Sequence, residues 1–499
     1  MKNTLLCLLL CGQTTLASGA EKRPNVVLVM ADDIGLGDLS FYQRQLHPDR
    51  PPTVETPHLD RLIEEGMRFS DAHSPASLCA PTRFSMLTGN YSFRNKKGPW
   101  GVWNPGSDSG IDPHFTTIAR LAKAGGYETA FFGKWGLGSA TKKEDYTALA
   151  QGATAFGFDY ALELPQGIQD EPFAFYENRK WLKAAEDSRF VRLSAEQLGY
   201  ARHVGNKHEH DEGWGDSHWN PFQAGPLLIE KATAYLSSRA REPFFLYYCS
   251  QAVHIPHTAP EQLAGVALAG TTAGKHGDMI RELDLQVGLL IRALQETGVY
   301  ENTLFVFTSD NGGLVIDQEM RQAGHDASNG WSGSKGSILE GGHRVPFLAV
   351  WPGVIPPGSE SHEPIVTHDM VATMAALAGQ ALDRSQIKDS LNLLPLWQGK
   401  EARGSHTVLL HGSIAGGFSY AIRQGPWKLV MQGSRDYDPA QLQAVGLYNL
   451  AQNKRETHAT NLIHREDQQE RVEELLESYR RYRKNTIPTV QQVPPPPVP

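Results

Sequence analysis

The feature that most constrains the fold of this chain is a repeated pattern in which an apolar segment ends in a cluster of polar residues. Near-continuous apolar segments of this kind are typical of strands in a parallel sheet that is covered on both faces. Helical segments lie between them, such as those predicted at 113–124, with Asp112 as the N-cap, and at 227–238. The alternation predicts an α/β domain in which a mainly parallel sheet lies between helices.

Four of the apolar segments are followed by charged or amide side chains. After segments 25–31, 129–132, 244–248 and 303–307 come, in that order, Asp32 and Asp33, Lys134, His254, and Asp310 and Asn311. Open α/β sheets form their sites beyond the carboxyl ends of the strands. We therefore expect these side chains to converge on one rim of the sheet.

Two of these strand ends offer only oxygen ligands, Asp32 with Asp33 and Asp310 with Asn311. Such ligands suit a hard cation, Ca²⁺ or Mg²⁺, rather than zinc. Either pair alone is more typical of a helix cap or a turn, so the prediction depends on the two pairs meeting. Asp38 lies close in sequence but is not included in the predicted ligand set.

A reactive thiol stands at the start of a predicted helix in Cys79-Ala-Pro81-Thr-Arg83. Pro81 suits the first turn of a helix, because its missing N–H costs nothing there, and Gly89 suits the position just after the helix end. The helix would direct its positive end and the Arg83 guanidinium toward Cys79, which predicts an anion site. A buried structural cysteine before an ordinary capped helix is the simpler alternative.

These residues occur in a pattern that resembles a known family. Cys79-x-Pro81-x-Arg83, followed by Leu-Thr-Gly89, is similar to the signature of type I sulfatases. Five further stretches resemble the same family, 30–38, 125–135, 253–257, 308–313 and 333–346, and the resemblance extends from about residue 24 to residue 483. It implies an alkaline-phosphatase-like fold and an arylsulfatase-type sulfuric ester hydrolase.

The resemblance also implies a modification and a set of site residues. The thiol of Cys79 would be oxidised to Cα-formylglycine by a formylglycine-generating enzyme, and the hydrated aldehyde would be the nucleophile. One Ca²⁺ would be bound by Asp32, Asp33, Asp310, Asn311 and the modified residue 79. The catalytic and substrate-binding residues implied are Arg83, Lys134, His254 and Lys335. His257 is an alternative to His254, a substrate contact or merely an exposed residue. Glu340 and Arg344 are expected to form a structural ion pair.

One position departs from the family pattern. Many sulfatases have a histidine two residues after the signature lysine, whereas this chain has Gly136. Either His203, His218 or His257 takes that place, or different residues perform that step. The sequence leaves these alternatives open.

The amino-terminal sequence predicts the cellular location of the protein. Residues 1–20 resemble a signal peptide, with Lys2, a short apolar core and a small-residue cleavage site, so the protein is expected to be exported to the periplasm or secreted. A lipoprotein attached through Cys11 is the less favoured alternative. After removal of the signal peptide only Cys79 and Cys249 remain, too few for a disulfide framework, and Cys249 is expected to be a buried, unpaired strand residue.

The charge and hydropathy of the chain exclude some classes of binding partner. A formal net charge of −8 argues against a nucleic-acid partner, and no transmembrane span is predicted.

The catalytic domain is assigned to 21–399 and a smaller antiparallel sheet with one helix to 400–485. The proline-rich segment 486–499 is predicted to be a disordered tail.

Substrate choice is the least constrained prediction. A sulfated carbohydrate is favoured over a simple aryl sulfate ester, by analogy with exported sulfatases. Segments 166–181 and 203–219, rich in His, Trp and acidic residues, are expected either to wall a sugar-binding pocket or to be surface loops. A phosphate or phosphonate ester hydrolase of the same superfamily and a non-catalytic glycan-binding relative are the alternative functions.

Overall fold

The protein was analysed as a computed structural model. The structure describes residues 23–98, 107–141, 145–198, 212–239, 243–314, 317–400, 404–414, 417–435, 437–484 and 487–492. The predicted signal peptide, His203 and residues 493–499 lie outside these ranges.

The described strands follow the order in which the apolar segments occur. They are β1 (Asn25–Ala31), β2 (Met67–Phe69), β3 (Ala72–His73), β4 (Glu128–Lys134), β5 (Tyr160–Ile168), β6 (Phe175–Glu177), β7 (Lys180–Leu182), β8 (Phe190–Leu193), β9 (Gly213–Asp216), β10 (Phe244–Cys249), β11 (Gln262–Leu263), β12 (Val266–Ala267), β13 (Thr303–Ser309), β14 (Phe347–Val350), β15 (Ser359–Ser361), β16 (Ile365–Val366), β17 (Gly404–His406), β18 (Leu409–Ser413), β19 (Ser419–Gln424), β20 (Trp427–Gln432), β21 (Gln443–Asn449) and β22 (Val490–Gln492).

The α-helices lie between these strands. They are α1 (Ser40–Leu46), α2 (Pro57–Glu65), α3 (Cys79–Thr88), α4 (Ile118–Ala124), α5 (Ala224–Arg239), α6 (Lys275–Glu296), α7 (Gln318–Gln322), α8 (Glu340–His343), α9 (Met370–Leu377), α10 (Leu394–Trp397) and α11 (Gln469–Arg483).

The main sheet has the order β15-β2-β14-β13-β1-β10-β4-β5-β6-β7 among the described strands. Its centre, β13-β1-β10-β4-β5, is parallel throughout. Both edges contain antiparallel pairs, because β14 reverses against β13 and β6 reverses against β5. The predicted mainly parallel sheet is confirmed, and the four site-bearing strands β13, β1, β10 and β4 are consecutive neighbours in it.

The core consists of two layers, one on each face of the main sheet. Val27 and Val29 of β1 pack with residues of α2, α5 and α6. The alternate residues Val26 and Leu28 pack on the other face with residues of α3, α4 and α9. Because successive strand side chains point to opposite faces, an apolar strand without alternation requires helices on both sides. The apolar segments in the sequence therefore account for the three-layer arrangement.

The C-terminal region contains the predicted small antiparallel sheet. Strands β18-β19-β20-β21 pair consecutively and antiparallel. Helix α11 packs on this sheet, where Leu475 and Tyr479 join the same apolar cluster as Ile422 and Leu429. The assigned boundaries at 20, 399 and 485 remain predictions.

Two local predictions were wrong. The helix expected at 113–124 begins only at Ile118, because Thr117 is its N-cap and accepts a hydrogen bond from Arg120 N at 3.2 Å. Asp112 caps a turn instead, with its Oδ1 accepting from His114 N at 2.9 Å.

The second error concerns the predicted disordered tail at 486–499. Residues 490–492 of that segment form β22, which pairs antiparallel with β17. The preceding Thr489 anchors this strand, because its hydroxyl donates to Asp389 Oδ1 at 3.0 Å and its carbonyl accepts from Thr407 N at 2.9 Å. These contacts join residues far apart in sequence, and local composition carries no sign of them. Among the described residues, no helix combines the length and apolarity needed to cross a membrane.

Candidate active site

The ends of β1 and β13 bring four oxygen-bearing side chains together. Asp33 N donates to Asp310 Oδ1 at 3.2 Å, and Asn311 Nδ2 donates to Asp33 Oδ1 at 2.9 Å. Asp32 and Asp310 are fully buried, as is Asn311. The convergence of these four residues arises because β1 and β13 are adjacent parallel strands.

Three cations surround these oxygens, and each pairs with one of the carboxylates. Lys134 Nζ lies 2.5 Å from Asp32 Oδ2, and Lys335 Nζ lies 2.7 Å from Asp33 Oδ2. Arg83 Nη2 lies 2.7 Å from Asp310 Oδ2 and 3.6 Å from Asp32 Oδ2. All three cationic side chains are largely buried, so their charges act across a short distance with little screening by water.

Two oxygen atoms of this cluster have no hydrogen-bond partner. Asp32 Oδ1 and Asn311 Oδ1 are buried and unpartnered. The amide nitrogen of Asn311 is used by Asp33 and by the Gly312 carbonyl, so its oxygen is the free end. A buried acceptor without a donor costs about 1–3 kcal/mol. A hard cation would satisfy both atoms, and Asp32, Asp33 and His254 are among the groups that could hold a metal ion.

The pKa values of the carboxyls reflect this crowding. Burial would raise the pKa of Asp32, but the charges of Lys134, His254 and Arg83 outweigh burial and hold it below its ordinary value. Burial, followed by the neighbouring Asp32 carboxylate, raises the pKa of Asp310 to about 7. Additional positive charge would stabilise three ionised carboxylates at this rim.

Helix α3 presents Cys79 and Arg83 to the same rim. The helix begins at Cys79 and ends before Gly89, whose φ of 66° is the left-handed conformation that the sequence predicts there. Arg83, one turn into the helix, donates from Nη1 to the Lys134 carbonyl at 2.6 Å. Lys335 lies in the adjacent loop, whose Gly336 N donates to the carbonyl of Ser77 at 2.9 Å.

The two candidate histidines after β10 have different surroundings. His254 Nε2 lies 3.9 Å from Asp33 Oδ2, at the edge of the carboxylate cluster. Its Nδ1 is 2.6 Å from the Ile255 carbonyl, which can only accept, so Nδ1 carries a proton and Nε2 faces the cluster. His257 instead stacks on His276, with ring centroids 5.0 Å apart.

Burial, followed by the charges of Lys335 and Lys134, lowers the pKa of His254 to about 3. The ring is therefore neutral near pH 7 at this site.

The glycine that replaces the usual histidine lies against Arg83. Gly136 has a φ of 66°, and a Cβ built on it would stand 2.7 Å from Arg83 Cδ. A side chain at this position would therefore require Arg83 to shift. Of the three histidines considered as substitutes, His218 is an exposed partner of Asp187 at 3.0 Å, and His203 lies outside the described residues.

The remaining predicted residues have structural surroundings. Arg344 Nη2 lies 2.8 Å from Glu340 Oε2, which confirms that ion pair. Cys249 is buried and unpaired at the end of β10, as expected. Segment 166–181 covers the end of β5 and the edge strands β6 and β7, and a Cβ built on Gly167 would stand 2.9 Å from Lys134 Cδ. This segment therefore borders the rim.

Comparison with known proteins agrees with this geometry. A family profile described as Sulfatase matches residues 24–380. The chain belongs to the sulfatase family. This sulfatase is a sulfuric ester hydrolase, and it is 30% identical over 445 residues to an N-acetylgalactosamine-6-O-sulfatase of Bacteroides thetaiotaomicron, covering 82% of this chain and 83% of that protein.

The similarity extends to animal enzymes and to solved structures. The sulfatase is 32% identical over 461 residues to the steryl-sulfatase of Mus musculus, covering 82% of this chain and 71% of that protein. A solved Bacteroides thetaiotaomicron sulfatase, described in the context of glycosaminoglycan metabolism, superposes with a TM-score of 0.77 at 26% identity. That match covers 93% of this chain and 99% of the other. The predicted family and fold are confirmed.

Sequence reasoning did not single out two buried histidines near this site. His276 is at the start of α6, and His325 pairs with Asp38 at 2.8 Å. Neither stands in a motif or follows an apolar strand, so the sequence carries no signal for them.

Proposed function

We propose that this sulfatase removes sulfate from a carbohydrate ester by means of one Ca²⁺ ion and a Cα-formylglycine formed at Cys79. The observation that carries the proposal is the pair of unpartnered buried oxygens on Asp32 and Asn311, set among three buried cations beside α3. When present, Ca²⁺ supplies positive charge at the ester oxygens, and the hydrated aldehyde supplies the hydroxyl that attacks sulfur.

Asp32, Asp33, Asp310 and Asn311 are the proposed calcium ligands, because their carboxylate and amide oxygens suit a hard cation. The three carboxylates balance the charges of the three cations that pair with them. A divalent ion would give the rim an excess of positive charge. An anionic sulfate group entering the rim would offset that excess, which favours binding of the ester.

Arg83, Lys134 and Lys335 bind the sulfate oxygens in this proposal. Each is already positioned by a carboxylate, so little reorganisation is needed when a substrate oxygen takes part of that contact. Positive groups fixed in a buried rim stabilise the charge that develops on these oxygens in the transition state. The N-terminal end of α3, where residue 79 stands, adds to the same field.

In this proposal Asp310 is the general base and His254 is the general acid. Asp310 takes the proton from the attacking hydroxyl, because its carboxylate contacts Arg83, one helical turn after residue 79. His254 donates from Nε2 to the departing oxygen once the ring is doubly protonated. The bound sulfate favours that form, because its negative charge offsets the two lysines that lower the pKa of His254.

The proposed substrate is a sulfated carbohydrate. One relative is named as a sulfatase of N-acetylgalactosamine 6-sulfate esters, and a structural relative is described in glycosaminoglycan metabolism. Segment 166–181 supports this choice, because Gly167 lies beside Lys134 and the buried Oε1 of Gln169 has no partner. A sugar hydroxyl is a donor that could serve such an oxygen.

The modification is tested by mass spectrometry of the peptide that contains residue 79, taken from active, exported protein. We expect the mass of Cα-formylglycine, and we expect Cys79→Ala to have no turnover. Full activity from protein whose Cys79 is entirely an unmodified thiol would contradict the proposal.

Turnover of sulfated mono- and disaccharides is compared with that of the matching phosphate and phosphonate esters. A preference for phosphorus esters would favour the alternative hydrolase, and no turnover of either class the glycan-binding alternative.

The metal is tested by elemental analysis of the purified protein. We expect one calcium per chain in the wild type and loss of both calcium and turnover in Asp32→Ala. Asp467→Ala is the control, because Asp467 is an exposed carboxylate that pairs with Arg465 just before helix α11. Zinc bound in place of calcium at the Asp32 cluster would reject the calcium assignment.

A further inference from the structure

A second cluster of potential metal ligands lies behind the active-site loops. It consists of Asp38, which follows β1, His276 at the start of α6, and His325, which follows α7. One ligand atom from each lies within 4.8 Å of the others. Asp38 and His276 are fully buried, and the side chain of His325 has no exposed surface. None of the three is among the residues proposed to bind calcium or sulfate.

The hydrogen bonds of His325 determine which ring nitrogen carries its proton. Thr53 N donates to Gln43 Oε1 at 2.7 Å, which fixes that atom as the amide oxygen. Thr53 Oγ1 lies 2.9 Å from the same oxygen and must donate to it, so it accepts from His325 Nδ1 at 2.6 Å. The other nitrogen, Nε2, faces Asp38 Oδ1 at 2.8 Å. Nε2 therefore carries a second proton, accepts a hydrogen bond from a protonated Asp38, or directs its lone pair at a cation shared with Asp38.

His276 decides between these possibilities. Both of its ring nitrogens are buried without a hydrogen-bond partner. A neutral imidazole has one N–H donor and one lone pair, and neither has a partner here. A proton on His325 Nε2 or on Asp38 would join those two residues but leave the lone pair of His276 unsatisfied, at a cost of about 1–3 kcal/mol. A shared cation would be bound by the lone pair of one His276 ring nitrogen, by His325 Nε2 and by Asp38 Oδ1.

We propose that Asp38, His276 and His325 form a binding site for a zinc ion, separate from the proposed calcium site. Two imidazoles and one carboxylate are a ligand set that zinc accepts, with a fourth position left for water. Tetrahedral Zn–N bonds of about 2.1 Å place ligand atoms about 3.4 Å apart, so small side-chain rotations suffice. Thr53 holds His325 through the nitrogen opposite the metal, as is usual for histidine ligands.

A second buried histidine trio, His73, His343 and His411, lacks these features. Lys428 Nζ lies 3.1 Å from His343 Nε2, and Arg423 Nη1 lies 3.2 Å from His73 Nε2. These positive groups would repel a cation. The trio therefore provides a comparison within the same molecule.

A zinc ion at the Asp38 site would join three loops that border the active site. Asp38 accepts from Gly35 N at 2.7 Å, two residues after Asp33. A Cβ built on Gly313, two residues after Asn311, would stand 2.7 Å from Asp38 Oδ2. His257, in the segment that contains His254, stacks on His276. The ion would thus brace the loops that carry the calcium ligands and the proton donor, without contacting the substrate.

The test uses the untagged full chain in buffer with excess CaCl₂, titrated with ZnCl₂ by calorimetry and checked by elemental analysis. We expect one zinc per chain in addition to calcium. Replacement of an outer partner of a metal ligand typically costs 10–100-fold in affinity, so loss of a ligand in His276→Ala or Asp38→Asn should cost at least about 100-fold. Exposed His218→Ala and buried His411→Ala should bind zinc as the wild type does.

Two further measurements test the zinc site even if the ligand variants fail to fold. The wild type loaded with CoCl₂ should show the visible absorption of a four-coordinate cobalt site. Asp32→Ala should lose calcium but still bind zinc, which separates this site from the proposed function. Absence of both zinc uptake and the cobalt absorption in the wild type would overturn the proposal. Unchanged zinc affinity in His276→Ala would also overturn the proposal, as would a loss of zinc affinity in His218→Ala.

Discussion

His254 and His257 show how two residues of one short segment receive different roles. His254 directs Nε2 toward the carboxylate cluster, 3.9 Å from Asp33 Oδ2. His257 packs on His276 and is 5% exposed. The sequence places both after the same strand, whereas only His254 reaches the rim where the departing oxygen would lie.

We expect His254→Ala to affect substrates according to their leaving group. A sugar alkoxide is a poor leaving group and requires a proton in the transition state, whereas a nitrophenolate leaves without one. Removal of a general acid typically costs about 10²- to 10⁴-fold, so kcat on a sugar sulfate should fall within that range and far less on 4-nitrophenyl sulfate. His257→Ala is the control and should lack this dependence on leaving group. Equal losses on both substrates for His254→Ala would contradict its assignment.

At the scale of elements, the turn after β4 fits closely against helix α3. Gly136 N donates to the Pro165 carbonyl at 2.9 Å, which fixes the turn to the end of β5. Arg83 of α3 in turn donates to the carbonyl of Lys134. The turn and the helix therefore position each other, and the guanidinium remains on Asp310.

We expect Gly136→Ala to lower both stability and activity. Its φ of 66° strains an L-residue by about 1–2 kcal/mol, and the new Cβ would stand 2.7 Å from Arg83 Cδ and displace it from Asp310. Gly353→Ala is the matched control, because Gly353 has a φ of 75° and no atom within 4 Å of its built Cβ. The backbone strain should lower the free energy of unfolding by a similar amount in both variants, as measured by denaturant unfolding. Only Gly136→Ala should lose kcat/KM, and equal activity of the two would argue against the Arg83 contact.

At the scale of the whole molecule, one buried carboxyl makes stability depend on pH. Glu163 of β5 is fully buried, with Oε2 accepting from Ala153 N at 3.0 Å and Oε1 without a partner. Burial raises the pKa of Glu163 to about 8, against weaker opposing effects of Ala153 N and Arg179. The folded state therefore keeps this proton at pH values where the unfolded chain has released it.

We expect the wild type to lose stability, relative to Glu163→Gln, as pH rises from about 4.5 to about 8. Because the folded pKa lies above the unfolded one, the native state binds more protons in this window and the free energy of unfolding falls with pH. The difference should be on the order of a few kcal/mol. Denaturant unfolding of both proteins at pH 5 and pH 8 measures it, with exposed Glu261→Gln as the control. Parallel pH profiles for wild type and Glu163→Gln would disprove the prediction.

Much of the rim was predictable from the chain because it depends on strand ends. The apolar segments before Asp32 and Asp310 form the parallel strands β1 and β13, and adjacency of those strands brings the two pairs together. The start of α3 at Cys79 and its end before Gly89 were likewise local features, set by a proline and a glycine. Each of these follows from backbone preferences that act within a few residues.

The errors and omissions have a different origin. The strand at residues 490–492 forms because Thr489 contacts Asp389, 100 residues away, and β17 offers an open edge. The helix at 118–124 starts late because Thr117, not Asp112, is positioned to cap it. In both cases a tertiary contact or a turn replaces the preference that the local sequence suggests.

The sequence by itself determined the α/β class and the candidate residues of the rim, because apolar strands and the polar residues that follow them are local features of the chain. The family was identified from its resemblance to the Cys79-x-Pro81-x-Arg83 signature, which is also local. Only the tertiary structure decided that Gly136 leaves room for Arg83 and that His276 has no partner for either ring nitrogen. It also decided that His325 turns its Nε2 toward Asp38. Those features depend on residues far apart in the sequence, 287 positions in the case of Asp38 and His325, whose approach is set by sheet order and packing rather than by any nearby residue.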